Sequence, residues 1–172
     1  MTQPASGRAR RIFIVVGEPS GDLLGASLIR SLRARRSLAL EFHGIGGDAM
    51  AAEGIGTPFP LTETALIGFA GVVKGLPRLL RRIREAADAV VAAAPDVLVI
   101  IDSPDFTHRV ARRVRALAPQ IPIVDYVAPS VWAWRPGRAR RMCGYVDQVL
   151  ALLPFEPDAY ARLQGPACTY VG

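Results

Sequence analysis

Five residues constrain this chain more than any others: Val97-Leu98-Val99-Ile100-Ile101. An unbroken aliphatic run has no solvent-facing side, so it reads as a strand buried on both faces at the centre of a parallel sheet. Such a strand needs helices above and below it. The flanking sequence supplies them. Residues 12–16 form a second apolar run closed by Gly17, and further strands are predicted at 38–43, 55–59, 121–127, 148–152 and 169–171. Between them lie segments with helical spacing at 23–35, 48–53, 77–94, 107–117, 136–145 and 157–163. Asp22 is read as the N-cap of the first helix, and Pro77 as the first-turn proline that opens the longest one. Strands alternating with helices predict an α/β fold with a doubly wound, mostly parallel, Rossmann-like sheet. The length of 172 residues suits one such domain over 11–172, with 1–10 as a frayed polar tail.

Composition narrows the function. The chain carries a net charge of +6, which suits anionic partners such as a phosphorylated substrate, an acidic lipid surface or nucleic acid, and also suits solubility alone. Cys143 and Cys168 have no close partner spacing and form no metal pattern with His43 or His108, so no metal is expected and a reducing compartment is. Both histidines read as structural. No apolar run approaches the ~18 residues of a membrane span. The basic flank and apolar run before Gly17 resemble a short signal peptide but lack a cleavage site, so they read as a first strand. The expected location is the cytosol or the cytosolic face of a membrane.

Candidate chemistry sits in loops after strands, where open α/β sheets bind ligands. Gly17-Glu18-Pro19-Ser20-Gly21-Asp22 lies between strand and helix. Its glycines permit close approach, but it is neither a dinucleotide fingerprint nor a P-loop, and its spacing alone favours a plain turn. Asp102 and Asp105 flank Ser103-Pro104 at the end of the aliphatic strand; either could take a proton from a hydroxyl, or cap the loop and the next helix. Asp96, at the strand's other end, reads as a turn residue. Ser130, Trp132, Trp134 and Arg135 follow the 121–127 strand, an aromatic and basic group that could pack on a sugar and hold a phosphate, or fill the core. Nucleic-acid readers spread aromatics along a basic face, so a single loop argues against nucleic acid. Phe69, Val72, Val73, Leu76, Leu79 and Leu80 lie beside Lys74, Arg78, Arg81 and Arg82, a mixture fitting either an anionic membrane interface or a core-facing stripe.

Taken in order, the first loop, Gly44-Ile45-Gly46-Gly47, the apolar loop around Gly68, Ile101-Asp102-Ser103-Pro104-Asp105-Phe106, Tyr126-Val127-Ala128-Pro129-Ser130-Val131-Trp132-Ala133-Trp134-Arg135 and Leu153-Pro154-Phe155-Glu156 resemble the lipid-A-disaccharide synthase family over about 11–172. The resemblance implies the N-terminal half of a two-domain, B-type glycosyltransferase. It implies transfer from UDP-2,3-diacylglucosamine to 2,3-diacylglucosamine 1-phosphate, giving UDP and a β-1,6 lipid A disaccharide precursor. No metal or cofactor is implied. The implied place is the cytoplasmic face of a Gram-negative inner membrane. Asp105 matches the family's candidate base, Glu18 its first-loop glutamate and Asp96 the aspartate before its central strand. Together with the loop positions this makes Gly17, Ser20, Gly21, Asp102, Ser130, Trp132, Trp134 and Arg135 the expected substrate contacts, and the six apolar residues from Phe69 to Leu80 the expected acyl or membrane contacts. Ser103 and His108 depart from the commoner alanine and asparagine. A second, UDP-binding domain is expected outside these residues, so this chain alone is expected to be inactive; that domain and a second copy of the chain are its expected protein partners. The alternative is a stand-alone basic module that docks on anionic lipid without catalysis.

Overall fold

The computed structural model describes residues 8–35, 39–64, 69–134 and 136–172, with the side chains of 69–75 and of Trp134 outside the described set. In chain order the elements are β1 Arg10–Val16, α1 Pro19–Arg33, β2 Leu40–Ile45, α2 Asp48–Ala52, α3 Phe69–Ala93, β3 Val97–Ile101, α4 Thr107–Leu117, β4 Ile123–Tyr126, α5 Val131–Trp134, α6 Gly137–Met142, β5 Gln148–Ala151, α7 Glu156–Arg162 and β6 Ala167–Tyr170. All strand pairings are parallel, in the order β2-β1-β3-β4-β5-β6. The doubly wound parallel sheet expected from the sequence is the one observed.

Strand alternation divides the core in two. Ile12, Ile14, Val16, Val99 and Ile101 pack on one face with α1 and α2 residues such as Ile29 and Met50. Phe13, Val15, Leu98, Ile100, Ile123 and Val149 pack on the other with α3 and α4 residues such as Leu79, Ile83 and Val110. Every residue of β3 from Leu98 to Ile101 is buried, as its unbroken aliphatic sequence demands.

Three expectations are corrected. Residues 55–59 form no strand: Gly54 turns the chain at φ 80°, Ile55 N–H returns to the Met50 carbonyl, and Pro58 and Pro60 offer no N–H to a ladder. Ile55 and Phe59 are nevertheless buried, which is why they looked like strand residues. Pro77 lies inside α3, whose first residue is Phe69. Its ring is on the exposed side of the helix, where water can satisfy the carbonyl that loses its partner. Asp22 is not the cap of α1, which begins at Pro19 with Glu18 as its N-cap residue. Its carboxylate instead accepts from the backbone N–H of Gly47 (2.7 Å), Ala49 (2.8 Å) and Met50 (3.1 Å), and so caps α2 across the sheet edge. A Cβ on Gly47 would lie 2.8 Å from Asp22 Oδ2, which accounts for the glycine there.

Candidate active site

The chain leaves β1 toward β2 on one side and later returns to β3 on the other, so the loops after β1 and β3 diverge at a topological switch point. Ligands of open α/β sheets bind at such crevices. Here the two loops touch. A Cβ on Gly17 would fall 2.5 Å from Ser103 Oγ, so only glycine lets them approach this closely. Asp102 and Ser103 both take left-handed backbone (φ 52° and 44°), a strained turn that Thr107 steadies by donating its hydroxyl to the Asp102 carbonyl at 2.6 Å.

That turn brings carboxylates together. Ser20 Oγ lies 2.9 Å from Glu18 Oε1 and 3.2 Å from Asp102 Oδ2. The neighbouring Asp102 carboxyl raises the Glu18 pKa above its ordinary 4.5, while the Ser20 hydroxyl pulls the other way. Asp105 stands exposed on the same rim and joins Glu18, Asp102 and Gly17 around a cavity of about 270 Å³. Thr64 closes its floor, donating to the Gly17 carbonyl at 2.6 Å.

Two further cavities adjoin this one through Pro104. One, of about 250 Å³, runs under the 127–131 segment between Asp102 and His108. The other, of about 430 Å³, lies between α4 and α6. Val127, a β-branched residue at φ 77°, bends the chain out of β4 over the first of these. The bend is held by Val127 N–H bonding to the Leu150 carbonyl and by Tyr160 Oη donating to the Pro129 carbonyl at 2.9 Å. Burial pushes the Tyr160 phenol well above its usual pKa, so it stays a neutral donor.

The other sequence candidates divide. Ser130 is exposed at the edge of the 250 Å³ cavity. Trp132 packs edge-on against Phe155 (5.0 Å between centroids) and donates Nε1–H to the buried Glu156 at 3.3 Å, so Leu153-Pro154-Phe155-Glu156 serves as its seat. Gly21 is buried where α1 passes the Ile101 carbonyl, 3.2 Å from where its Cβ would stand; close packing is what it permits. Arg135 and the Trp134 side chain fall outside the described residues.

Asp96 is not brought to the rim. It sits at the opposite end of β3, roughly 20 Å from Asp102 by strand rise. There it accepts from Arg11 N–H at 2.8 Å and pairs with Arg8 at 2.6 Å. The Arg11 amide and then Arg8 hold its carboxyl below the usual range. The acyl-contact expectation fails for Leu79, which is 1% exposed in the core, whereas Leu76 and Leu80 are each 38% exposed. Helical geometry turns successive positions of one apolar stripe to different neighbours. The side chains of Phe69, Val72 and Val73 fall outside the described residues.

Sequence reasoning took His108 as structural and passed over Asp125. Both are almost wholly buried, with His108 Nε2 3.1 Å from Asp125 Oδ2, and Nδ1 3.0 Å from Tyr145 Oη. The available signal was a lone carboxylate inside the apolar run 121–127, since a buried charge needs a partner.

A family model described as Lipid-A-disaccharide synthetase matches residues 12–172. The lipid-A-disaccharide synthase of Nitrobacter hamburgensis is 66% identical over 168 residues, covering 98% of this chain and 42% of that protein. The chain therefore spans about two fifths of the length of the curated relatives it matches. A UDP-N-acetylglucosamine 2-epimerase crystal structure superposes with a TM-score of 0.66 at 13% identity, covering 96% of this chain and 48% of that one. The glycotransferase of kitacinnamycin does so with a TM-score of 0.57 at 16% identity, covering 96% and 52%. These two likenesses are of fold. The match over nearly the whole described chain, with a relative two thirds identical, establishes that this chain belongs to the lipid-A-disaccharide synthetase family.

Proposed function

We propose that this chain is the acceptor-side half of a lipid-A-disaccharide synthase. It would help transfer 2,3-diacylglucosamine from UDP to 2,3-diacylglucosamine 1-phosphate. The observation that carries the reading is the carboxylate rim: Glu18, Asp102 and Asp105 line one cavity at the switch point. In the step, the acceptor 6-hydroxyl forms a bond to the donor's anomeric carbon while the bond to UDP breaks. Asp105, exposed on the rim, takes the hydroxyl proton. Positive charge grows on the donor ring oxygen, and the carboxylates of Glu18 and Asp102 on the same rim are placed to stabilise it. Residues outside this chain would hold the diphosphate. Ser130 and Trp132 border the acceptor ring, with Gly17 and Ser20 shaping the rim.

Exposed Leu76 and Leu80 alternate with exposed Arg78 on α3, which supports contact with an anionic inner-membrane surface and a peripheral, cytoplasmic location. The same feature favours the second reading, lipid docking without catalysis. No helix of the described residues is long and apolar enough to cross a membrane.

The test is radiolabelled transfer, by the chain alone and by the chain joined to the remaining portion of the Nitrobacter relative. Turnover is expected only from the joined protein, and Asp105→Asn should lower kcat by about 10²- to 10⁴-fold without moving the melting temperature. Undiminished turnover in the variant removes Asp105 as the base. Turnover by the 172-residue chain alone removes the division of labour.

A further inference from the structure

We propose that Arg109, Arg112, Arg138 and Arg141 form a phosphomonoester site that grips the anomeric phosphate of the acceptor sugar. The inference rests on the acceptor-side reading above and names where the acceptor's charged end goes. Arg109 and Arg112 stand three apart on α4, and Arg138 and Arg141 three apart on α6, so each pair shares one helix face. Both faces line the same cavity of about 430 Å³, where the one carboxylate is Asp105.

Charge is the first argument. Four guanidiniums around one cavity repel one another unless an anion sits among them. Elsewhere in the molecule Arg30, Arg33, Arg82, Arg113 and Arg115 each meet a carboxylate within 4 Å. Among the described residues, none of the four in this cavity does. Four guanidiniums against one carboxylate leave a surplus of three positive charges, which suits a dianionic phosphate. The planar fork of arginine matches phosphate oxygens two at a time.

Preorganisation is the second. The Arg112 guanidinium lies 4.7 Å over the Tyr145 ring and donates to Tyr145 Oη at 3.3 Å. Tyr145 is itself buried, with its hydroxyl 3.0 Å from His108 Nδ1, and His108 Nε2 faces the buried Asp125 carboxylate at 3.1 Å. One placement of protons serves the whole ladder. Arg112 donates to Tyr145, the Tyr145 hydroxyl donates to Nδ1, and the Nε2 proton faces Asp125. A solvated arginine needs no such scaffold; a binding one gains from having its side chain fixed beforehand. The ladder also gives the buried His108 and Asp125 a purpose that the transfer step does not. Asp105 borders both this cavity and the carboxylate rim, so a phosphosugar anchored here would have its ring at the base.

The test is calorimetric titration of the 172-residue chain with glucosamine 1-phosphate, glucosamine, UDP and phosphatidylglycerol vesicles. Glucosamine 1-phosphate should bind at least tenfold more tightly than glucosamine and more tightly than UDP. Exposed Arg109 and Arg141 can be changed without opening the core. R109Q/R141Q should raise the glucosamine 1-phosphate Kd at least tenfold at an unchanged melting temperature. Y145F, which keeps the ring but frees Arg112, should raise it several-fold and leave glucosamine binding unaltered. An unchanged Kd in R109Q/R141Q overturns the proposal. So does tighter binding of UDP, which would make the cavity a diphosphate site. Loss of vesicle binding alone in R109Q/R141Q also overturns it, because the ligand would then be a lipid headgroup. Failure of Asp105→Asn to slow transfer leaves all these titrations intact, so the two readings fall separately.

Discussion

Asp22 offers the sharpest test of how the first loop is built. Its carboxylate is 5% exposed and accepts from three backbone N–H groups, two through Oδ1 and one through Oδ2. Those groups belong to the start of α2, whose own cap residue, Gly47, has no side chain to offer. Asp22→Ala strands the buried Met50 N–H and leaves those of Gly47 and Ala49 to partial hydration. Loss of an N-cap costs about 1–2 kcal/mol and each stranded buried donor about 1–3 kcal/mol, so about 3 kcal/mol in total is expected. For a chain of this size that lowers the melting temperature by roughly 6–12 °C. Asp22→Asn is more telling. Its oxygen can still serve Gly47 and Met50, but its amide would face the Ala49 N–H, donor against donor. A loss of about 1–2 kcal/mol is expected, between wild type and Asp22→Ala. Urea unfolding followed by circular dichroism measures both, with an unchanged slope confirming that the native state alone was altered. If Asp22→Asn matches wild type, or Asp22→Ala costs less than about 0.5 kcal/mol, the cross-sheet cap is not what holds the two loops together.

Two further outcomes follow from the carboxylates. The folded-state pKa of Glu18 is raised, chiefly by the neighbouring Asp102 carboxyl, so its stabilising contribution is complete below 4.5 and is lost as pH rises through the raised value. Glu18→Gln should therefore gain on wild type in melting temperature as pH rises from about 4 to about 7, and parallel curves would contradict the influence of Asp102 on Glu18. Asp96 has the opposite sign: its pKa is depressed below 3.8 by the Arg11 amide and Arg8, so its contribution holds above that value and fades as pH falls. Asp96→Asn should lower the melting temperature at neutral pH, converge with wild type in acid, and leave the glucosamine 1-phosphate Kd unchanged. A changed Kd with an unchanged melt would return Asp96 to the site.

The sequence alone determined the elements and their class. Residues 97–101 read as a buried central strand because an aliphatic run carries its own burial requirement, and the observed strand has those bounds. The same local logic located α4, and the loop motifs were enough to identify the family. Where local pattern competes with context, reading failed. Ile55 and Phe59 carry strand-like apolar side chains, but the glycine and prolines around them withhold the pairing that makes a strand. Pro77 signals a helix start only if nothing upstream is helical. Tertiary structure alone decided which side chains meet. Asp22 caps a helix that begins 26 residues later, because the β1–β2 pairing places α2 beside α1. Glu18 and Asp102 are 84 positions apart and meet at the Ser20 hydroxyl because β1 lies against β3. Asp96, six residues before Asp102, is a strand's length away from it. His108, Tyr145 and four arginines converge because α4 and α6 flank one cavity. A side chain's identity fixes what it can donate, accept or neutralise, but strand order and helix packing fix what stands opposite it. Those are set by burial summed over the whole chain.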